Sequence, residues 1–313
     1  MIRSFVRNNK AIETRAFWFL WCWVLPALIL LVLVLKVETG LSKVDTWYWL
    51  KNTSHYGLVL CFLLLPVNLS IESLKWKYII DKESSMSFGE SMKIILVGKS
   101  LNMIGPVALG DSFSKYLGLE RAAKRHIFAA LSIDRVTQFI PSIFFGSFSF
   151  FFLLKSGFSF DASIIWVGMS LIIFGIAVVS FWVYLKKESF RKYTSLLLDL
   201  SFLSFSQVLL FSLGRYVVFF VQFYLILWAL DCNLSKEVIV LGIAWIFFVK
   251  TILPSLSMLG DLVNRGVSAT IFFSFFTPDV SQILVASFIV WLINIVMPAI
   301  AGLFFISDLK KSF

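Results

Sequence analysis

Histidine and cysteine are almost missing from this 313-residue chain: there are two histidines, His55 and His126, and three cysteines, Cys22, Cys61 and Cys232. The cysteines are scattered in or beside apolar runs, odd in number and without metal-ligand spacing, so they read as small packing residues. No His–Glu–His or Cys–His cluster exists, so a metalloenzyme has no support and no cofactor is expected. Charge is scarce as well. Only 15% of the residues are charged, against roughly 25% in an ordinary soluble domain, which leaves no soluble domain of useful size. There is no Walker motif, so nucleotide hydrolysis is not a visible energy source. Acids are the scarcer sign, 18 against 28 bases, for a net charge of +10. The bases sit mostly in short loops, where they orient a membrane protein and meet anionic head groups. Nucleic acid is therefore not an expected partner.

What the chain has in abundance is apolar length. It is 59% hydrophobic with a mean hydropathy of +0.89, and many stretches reach the 18 or so residues that cross a bilayer. The pattern predicts an all-α polytopic membrane protein and a single membrane domain over 1–313. Full spans are expected near 17–35, 57–74, 127–154, 164–185, 202–230 and 283–306. The first follows a basic start (Arg3, Arg7, Lys10, Arg15), carries Trp18, Trp21 and Trp23 at its entry, and reads as a retained span rather than a signal peptide. Thr46 to Tyr56 suggests a short surface helix, and Asp81 to Ser91 a charged loop. Glu72, at the end of the second span, is expected to reach the head groups, as long polar side chains do. Arg215 and Gln222, seven apart, share a helix face, with snorkelling or local pairing expected for Arg215.

Two stretches do not make good spans. Met92 to Leu109 is interrupted by Lys93, Lys99, Asn102, Gly105 and Pro106, and Val238 to Phe276 by Lys250, Pro254, Gly260 and Asp261. Each holds the same phrase. The first copy is Leu109-Gly110-Asp111-Ser112-Phe113-Ser114-Lys115, and the second is Leu259-Gly260-Asp261-Leu262-Val263-Asn264-Arg265. Pro106 precedes one and Pro254 the other, and Pro and Gly predict a helix break at each. The acid and the cation then fall at i and i+4, on one helix face. These stretches are expected to be re-entrant or broken elements, giving six full spans plus two such elements, or eight segments if both are counted as spans. Irregular backbone at that depth is tolerated only where it is buried in protein or lines a watery cavity.

The positive-inside count places both termini and the loops near 75–93, 112–126 and 186–192 in the cytoplasm, and the loops near 155–161, 231–237 and 277–282 outside. One phrase then opens inward and the other outward. The chain divides into pseudo-repeats of about 1–156 and 157–313, an inverted repeat of the kind found in transporters. The location expected is the inner (cytoplasmic) membrane.

At these residues the sequence resembles the flippase-like membrane region of the lysylphosphatidylglycerol synthases. The features carrying the resemblance are Asn102, Pro106, Gly110, Asp111 and Lys115, the Asp134-Arg135 pair in the next span, and Pro254, Gly260 and Arg265 in the second half. It covers nearly the whole chain in the right order. Asp stands where the family more often has Glu at 111 and 134, Lys115 where it has Arg, and Gln138 near the place of an expected acid. Lys115 lacks the planar two-point grip of arginine on phosphate. No aminoacyl-transferase domain follows within these residues, so the resemblance implies the lipid-moving half of the family's work, with a separate lipid-modifying enzyme as a partner.

The expected function is a non-enzymatic flippase that moves a phospholipid, or another lipid with a charged head group, across the membrane. The head group would meet Asp111, Lys115, Asp134, Arg135, Asp261 and Arg265, with Pro106, Gly110, Pro254 and Gly260 shaping the breaks. Charges of this kind inside a membrane point to function by default, but these could also pair only with each other. Two other classes stay open: a scaffold for a lipid-modifying enzyme, and a polytopic lipid-linked glycosyltransferase. The second would need acids in a large early loop, where 36–56 offers only Glu38 and Asp45.

Overall fold

The computed structural model describes residues 55–81, 85–104, 107–119, 126–155, 202–253, 255 and 257–311. The expected first and fourth spans, most of the 36–56 loop, the basic loop 186–192, Pro106 and Pro254 lie outside the described residues. Within them the chain is all helix, with no strand. The helices are α1 His55–Ile80, α2 Phe88–Ile104, α3 Val107–Leu117, α4 Ile127–Lys155, α5 Phe202–Ala229, α6 Lys236–Ile252, α7 Met258–Phe273, α8 Ser281–Leu303 and a short α9 Ile306–Lys311. Four of these, α1, α4, α5 and α8, are long and apolar enough to cross a membrane.

Local sequence explains several boundaries. Ser87 and Glu90 form a reciprocal capping box: the Ser87 amide donates to Glu90 Oε2 at 2.8 Å and the Glu90 amide to Ser87 Oγ at 3.2 Å. The box starts α2 at Phe88, so the expected loop ends at Ser87, short of Ser91. Ser87→Ala is expected to cost about 1 kcal/mol and to raise amide hydrogen exchange in the first turn of α2. Ser257, extended at φ −146° and ψ 166°, caps α7 by accepting from the Gly260 amide at 3.0 Å. In α8 the ladder loosens to a π turn over Leu292–Val296, just before Pro298, a feature often found at functional positions.

The two poor spans are helical hairpins. In the first, α2 and α3 run antiparallel, and the close approaches Gly98 to Ser114, Asn102 to Gly110 and Ile94 to Gly118 step evenly along their seam. In the second, α6 and α7 do the same, with Trp245 Nε1 donating to the Ser268 carbonyl at 3.0 Å and Gly242 against the Phe273 ring. The second arms begin at Val107 and Met258, which corrects one detail. Gly110 and Gly260 do not break a helix; they lie within the second arms, and Gly110 is needed for close packing instead. A Cβ there would stand 2.5 Å from Asn102 Oδ1 and 2.6 Å from the Asn102 amide nitrogen.

The halves interlock. Helices α1 and α5 pack lengthwise on each other, with Gly57 against Ala229. The first arm of each hairpin lies on the last long helix of the other half. Thus α2 meets α8, where Ser100 Oγ donates to the Ala299 carbonyl, and α6 meets α4, where Ser149 Oγ donates to the Leu241 carbonyl. The hairpin tips also meet: Met103, beside the first turn, packs on the small core of Met258, Leu262 and Trp291, beside the second. The outer face of α4 carries Phe144, Phe148 and Phe151, all exposed, as a lipid-facing surface would.

Candidate functional site

The charged residues inside this apolar bundle fall into groups joined by ion pairs. Around the first hairpin, Lys115 on α3 donates to Asp111 Oδ2 at 3.0 Å, one helical turn back, and to Asp134 Oδ2 on α4 at 2.8 Å. Lys115 is 1% exposed, and its ammonium also lies 4.9 Å from the Trp76 ring, a cation–π contact in a dry setting. The other oxygen of Asp134 receives Lys75 from α1 at 2.8 Å, and Lys75 donates as well to the Asp134 carbonyl at 2.7 Å. Arg135, the neighbour of Asp134, points elsewhere and donates to Asp111 Oδ2 at 2.8 Å, with 41% of its side chain exposed. Asn102 Oδ1, across the hairpin seam, accepts from the Asp111 amide at 3.1 Å.

A second group adjoins the first. Glu72 on α1 is buried between Lys99 of α2, at 3.0 Å, and Arg215 of α5, at 2.8 Å. Arg215 also donates to Asn68 Oδ1 and Gln138 Oε1, both at 3.2 Å. Asn68 Nδ2 then donates to Asn294 Oδ1 at 3.2 Å, within the π turn of α8. A continuous polar chain thus runs from α4 through α5 and α1 to α8. Glu72 and Lys75 lie three residues apart on α1, so the two groups adjoin along that helix.

The second hairpin holds a smaller group. Asp261 on α7 accepts from Lys250 of α6 at 2.9 Å and from Arg265 Nε, one turn on, at 2.9 Å. Asn264 ties the second arm to the turn, donating to the Leu253 carbonyl at 2.8 Å and to Ser255 Oγ at 3.1 Å. Buried charges in such a medium persist only when paired and hydrogen-bonded, and nearly every one here is.

Asp111, Lys115, Asp134 and Arg135 thus stand together around the first hairpin, and Asp261 and Arg265 stand on the second. Both Leu-Gly-Asp phrases form the i, i+4 pair expected. One expectation fails. Glu72 does not reach the head groups, because Lys99 and Arg215 neutralise it in the interior and α1 continues to Ile80. Of the two readings kept for Arg215, snorkelling and pairing, it is pairing that holds, since Glu72 and Asn68 on the facing helix satisfy it. Gln222, on the same face, donates to the Cys61 carbonyl at 2.9 Å. Lys75, Lys99 and Lys250 join the site without having been singled out for it. Their signal was present: Lys99 and Lys250 interrupt the first apolar arm 12 and 11 residues before Asp111 and Asp261. Among the described residues no group of His, Cys, Asp and Glu could hold a metal.

A family model described as the lysylphosphatidylglycerol synthase TM region matches residues 19–303. No curated protein and no solved structure matches the chain.

Proposed function

The chain belongs to the family of the lysylphosphatidylglycerol synthase TM region and is a multi-pass membrane protein; from that premise we propose that it is a lipid flippase. It moves a lipid with a phosphate-bearing or otherwise charged head group across the cytoplasmic membrane, without catalysing a chemical change. The single observation that carries this reading is the buried charge gathered by two helical hairpins whose tips meet inside the bundle. Only the head group needs a polar path, since acyl tails stay in lipid. The buried charge offers such a path, with cations for phosphate and the Asp residues holding those cations in place. The interlocked packing, in which each hairpin lies on the other half of the molecule, supports an inverted repeat of six spans and two re-entrant elements with both termini cytoplasmic. In that plan, alternating exposure of the two halves moves the head group.

The test is head-group scrambling in vesicles reconstituted with fluorescent lipids. Wild-type protein is expected to equilibrate a phosphate-bearing lipid between leaflets, and Arg265→Ala and Asp111→Asn are each expected to slow it by about tenfold or more, the loss of one charge-assisted contact. Unchanged rates in both variants would overturn the site assignment. No scrambling of any charged lipid by wild type would favour a scaffold that partners a lipid-modifying enzyme.

A further inference from the structure

The ion pairs make the two hairpins unlike. The interior charges of the first are each tied to another helix: Lys115 to Asp134, Asp111 to Arg135, and Lys99 to Glu72. In the second, Asp261 bonds Lys250 and Arg265, both on its own hairpin. Among the described residues, no ion pair joins Asp261, Lys250 or Arg265 to any other helix.

One carboxylate therefore serves two cations there, and it does not satisfy them. Arg265 is 1% exposed and uses Nε on Asp261, while its Nη1 is buried with no hydrogen-bond partner. A buried guanidinium nitrogen without an acceptor carries its full desolvation cost, so an acceptor supplied from outside the chain is favoured. Lys250 keeps 31% of its side chain exposed, which leaves the place reachable. Asp261 thus stands as one carboxylate against two cations, a surplus of one positive charge on this hairpin.

The buried acceptor without a partner, Asp111 Oδ1, does not mark a matching site for a cation. It faces the Gly98 backbone in the hairpin seam, where a Cβ on Gly98 would already stand 3.3 Å away. No ligand fits between.

We propose that the second hairpin is an anion subsite, formed by Arg265 and Lys250, that takes a phosphate bearing two negative charges. Its occupant is a phosphomonoester or diphosphate head group, in preference to a monoanionic phosphodiester or a lipid made net-cationic by an aminoacyl group. A terminal phosphate offers an extra unesterified oxygen and a second charge, so that one oxygen can meet the orphan Nη1 while another meets the part-exposed Lys250. The first hairpin, locked to α1 and α4, is the frame against which this site is held. The proposal rests on the flippase reading for its setting but names the chemistry of the site, which binding alone can test.

The experiment titrates purified full-length protein in detergent with short-chain phosphatidic acid, phosphatidylglycerol and lysylphosphatidylglycerol, and with inorganic pyrophosphate, read by native mass spectrometry. Phosphatidic acid is expected to bind about tenfold or more tightly than phosphatidylglycerol, and lysylphosphatidylglycerol more weakly still. Arg265→Gln and Lys250→Gln should each remove most of that preference, and Arg265→Lys should keep part of it. Equal or tighter binding of phosphatidylglycerol or its lysyl form overturns the proposal, as does an unchanged ranking in either Gln variant. Lys250→Gln, at a part-exposed position, serves where Arg265→Gln does not fold. Pyrophosphate binding as tight as that of phosphatidic acid, and lost in the same variants, supports the subsite with a soluble occupant in place of a lipid. The retained ranking without vesicle scrambling sinks the flippase reading alone, whereas scrambling with the ranking reversed sinks this proposal alone.

Discussion

Asp134→Ala is expected to be among the most damaging single substitutions in the described part of the chain. Asp134 takes Lys115 on one oxygen and Lys75 on the other. Removing it strands two ammonium groups at once, Lys75 at 0% exposure and Lys115 at 1%. Breaking one buried pair by deleting a partner costs roughly 3–5 kcal/mol, comparable to much of a protein's net stability. Lys115 keeps Asp111, but Lys75 retains only the Asp134 backbone carbonyl. The expected outcome is loss of folded protein, seen as a collapsed melting temperature and a broad size-exclusion profile in detergent. The control is Lys75→Met with Asp134→Asn. That pair removes one cation along with the charge of the carboxylate and keeps a hydrogen-bond acceptor for Lys115, so it should recover much of the lost stability. If Asp134→Ala alone melts like wild type, these contacts are not holding the bundle together.

The second large effect is expected from Gly110→Ala, a change of one methyl group. The new Cβ would fall 2.5 Å from Asn102 Oδ1, 2.6 Å from the Asn102 nitrogen and 2.7 Å from the Leu101 carbonyl carbon. Two of those atoms are backbone, so no rotamer change relieves the contact and the arms of the hairpin must part. Overpacking of this sort costs about 1–3 kcal/mol. Its functional cost should be larger than its stability cost. Separating the arms pulls Asp111 from Asn102, and Asp111 anchors both Lys115 and Arg135. A misplacement of about 1 Å at a functional constellation lowers activity far more than stability. The expected outcome is a folded protein whose scrambling rate falls by about two orders of magnitude. Wild-type scrambling by Gly110→Ala would mean that the seam tolerates movement and that Asp111 need not be held there.

The residues differ in how far they could be read in advance. Asp111–Lys115 and Asp261–Arg265 were legible because an i, i+4 spacing settles a helix face without knowledge of any neighbour. The broken spans were legible for a similar reason, since Pro, Gly and charge in an apolar run are local signals. Glu72, Lys75 and Arg215 were not. Each sits on a long helix where head-group contact and burial look alike, and what separates them is a partner far away in the chain. Gly110 was misread as a helix breaker because glycine's freedom and its smallness give the same letter.

The sequence by itself determined the class of this protein, its apolar spans, its two interrupted segments and the pairs inside each phrase, because hydropathy and helical period are properties of neighbouring residues. Only the tertiary structure decided that Lys75, Lys99 and Lys250 belong with those pairs, that the hairpin tips meet, and that the first hairpin is locked while the second keeps an unsatisfied arginine. Those facts depend on which helices face each other. A buried charge finds its partner wherever packing brings one within about 3 Å, and no local pattern records that distance.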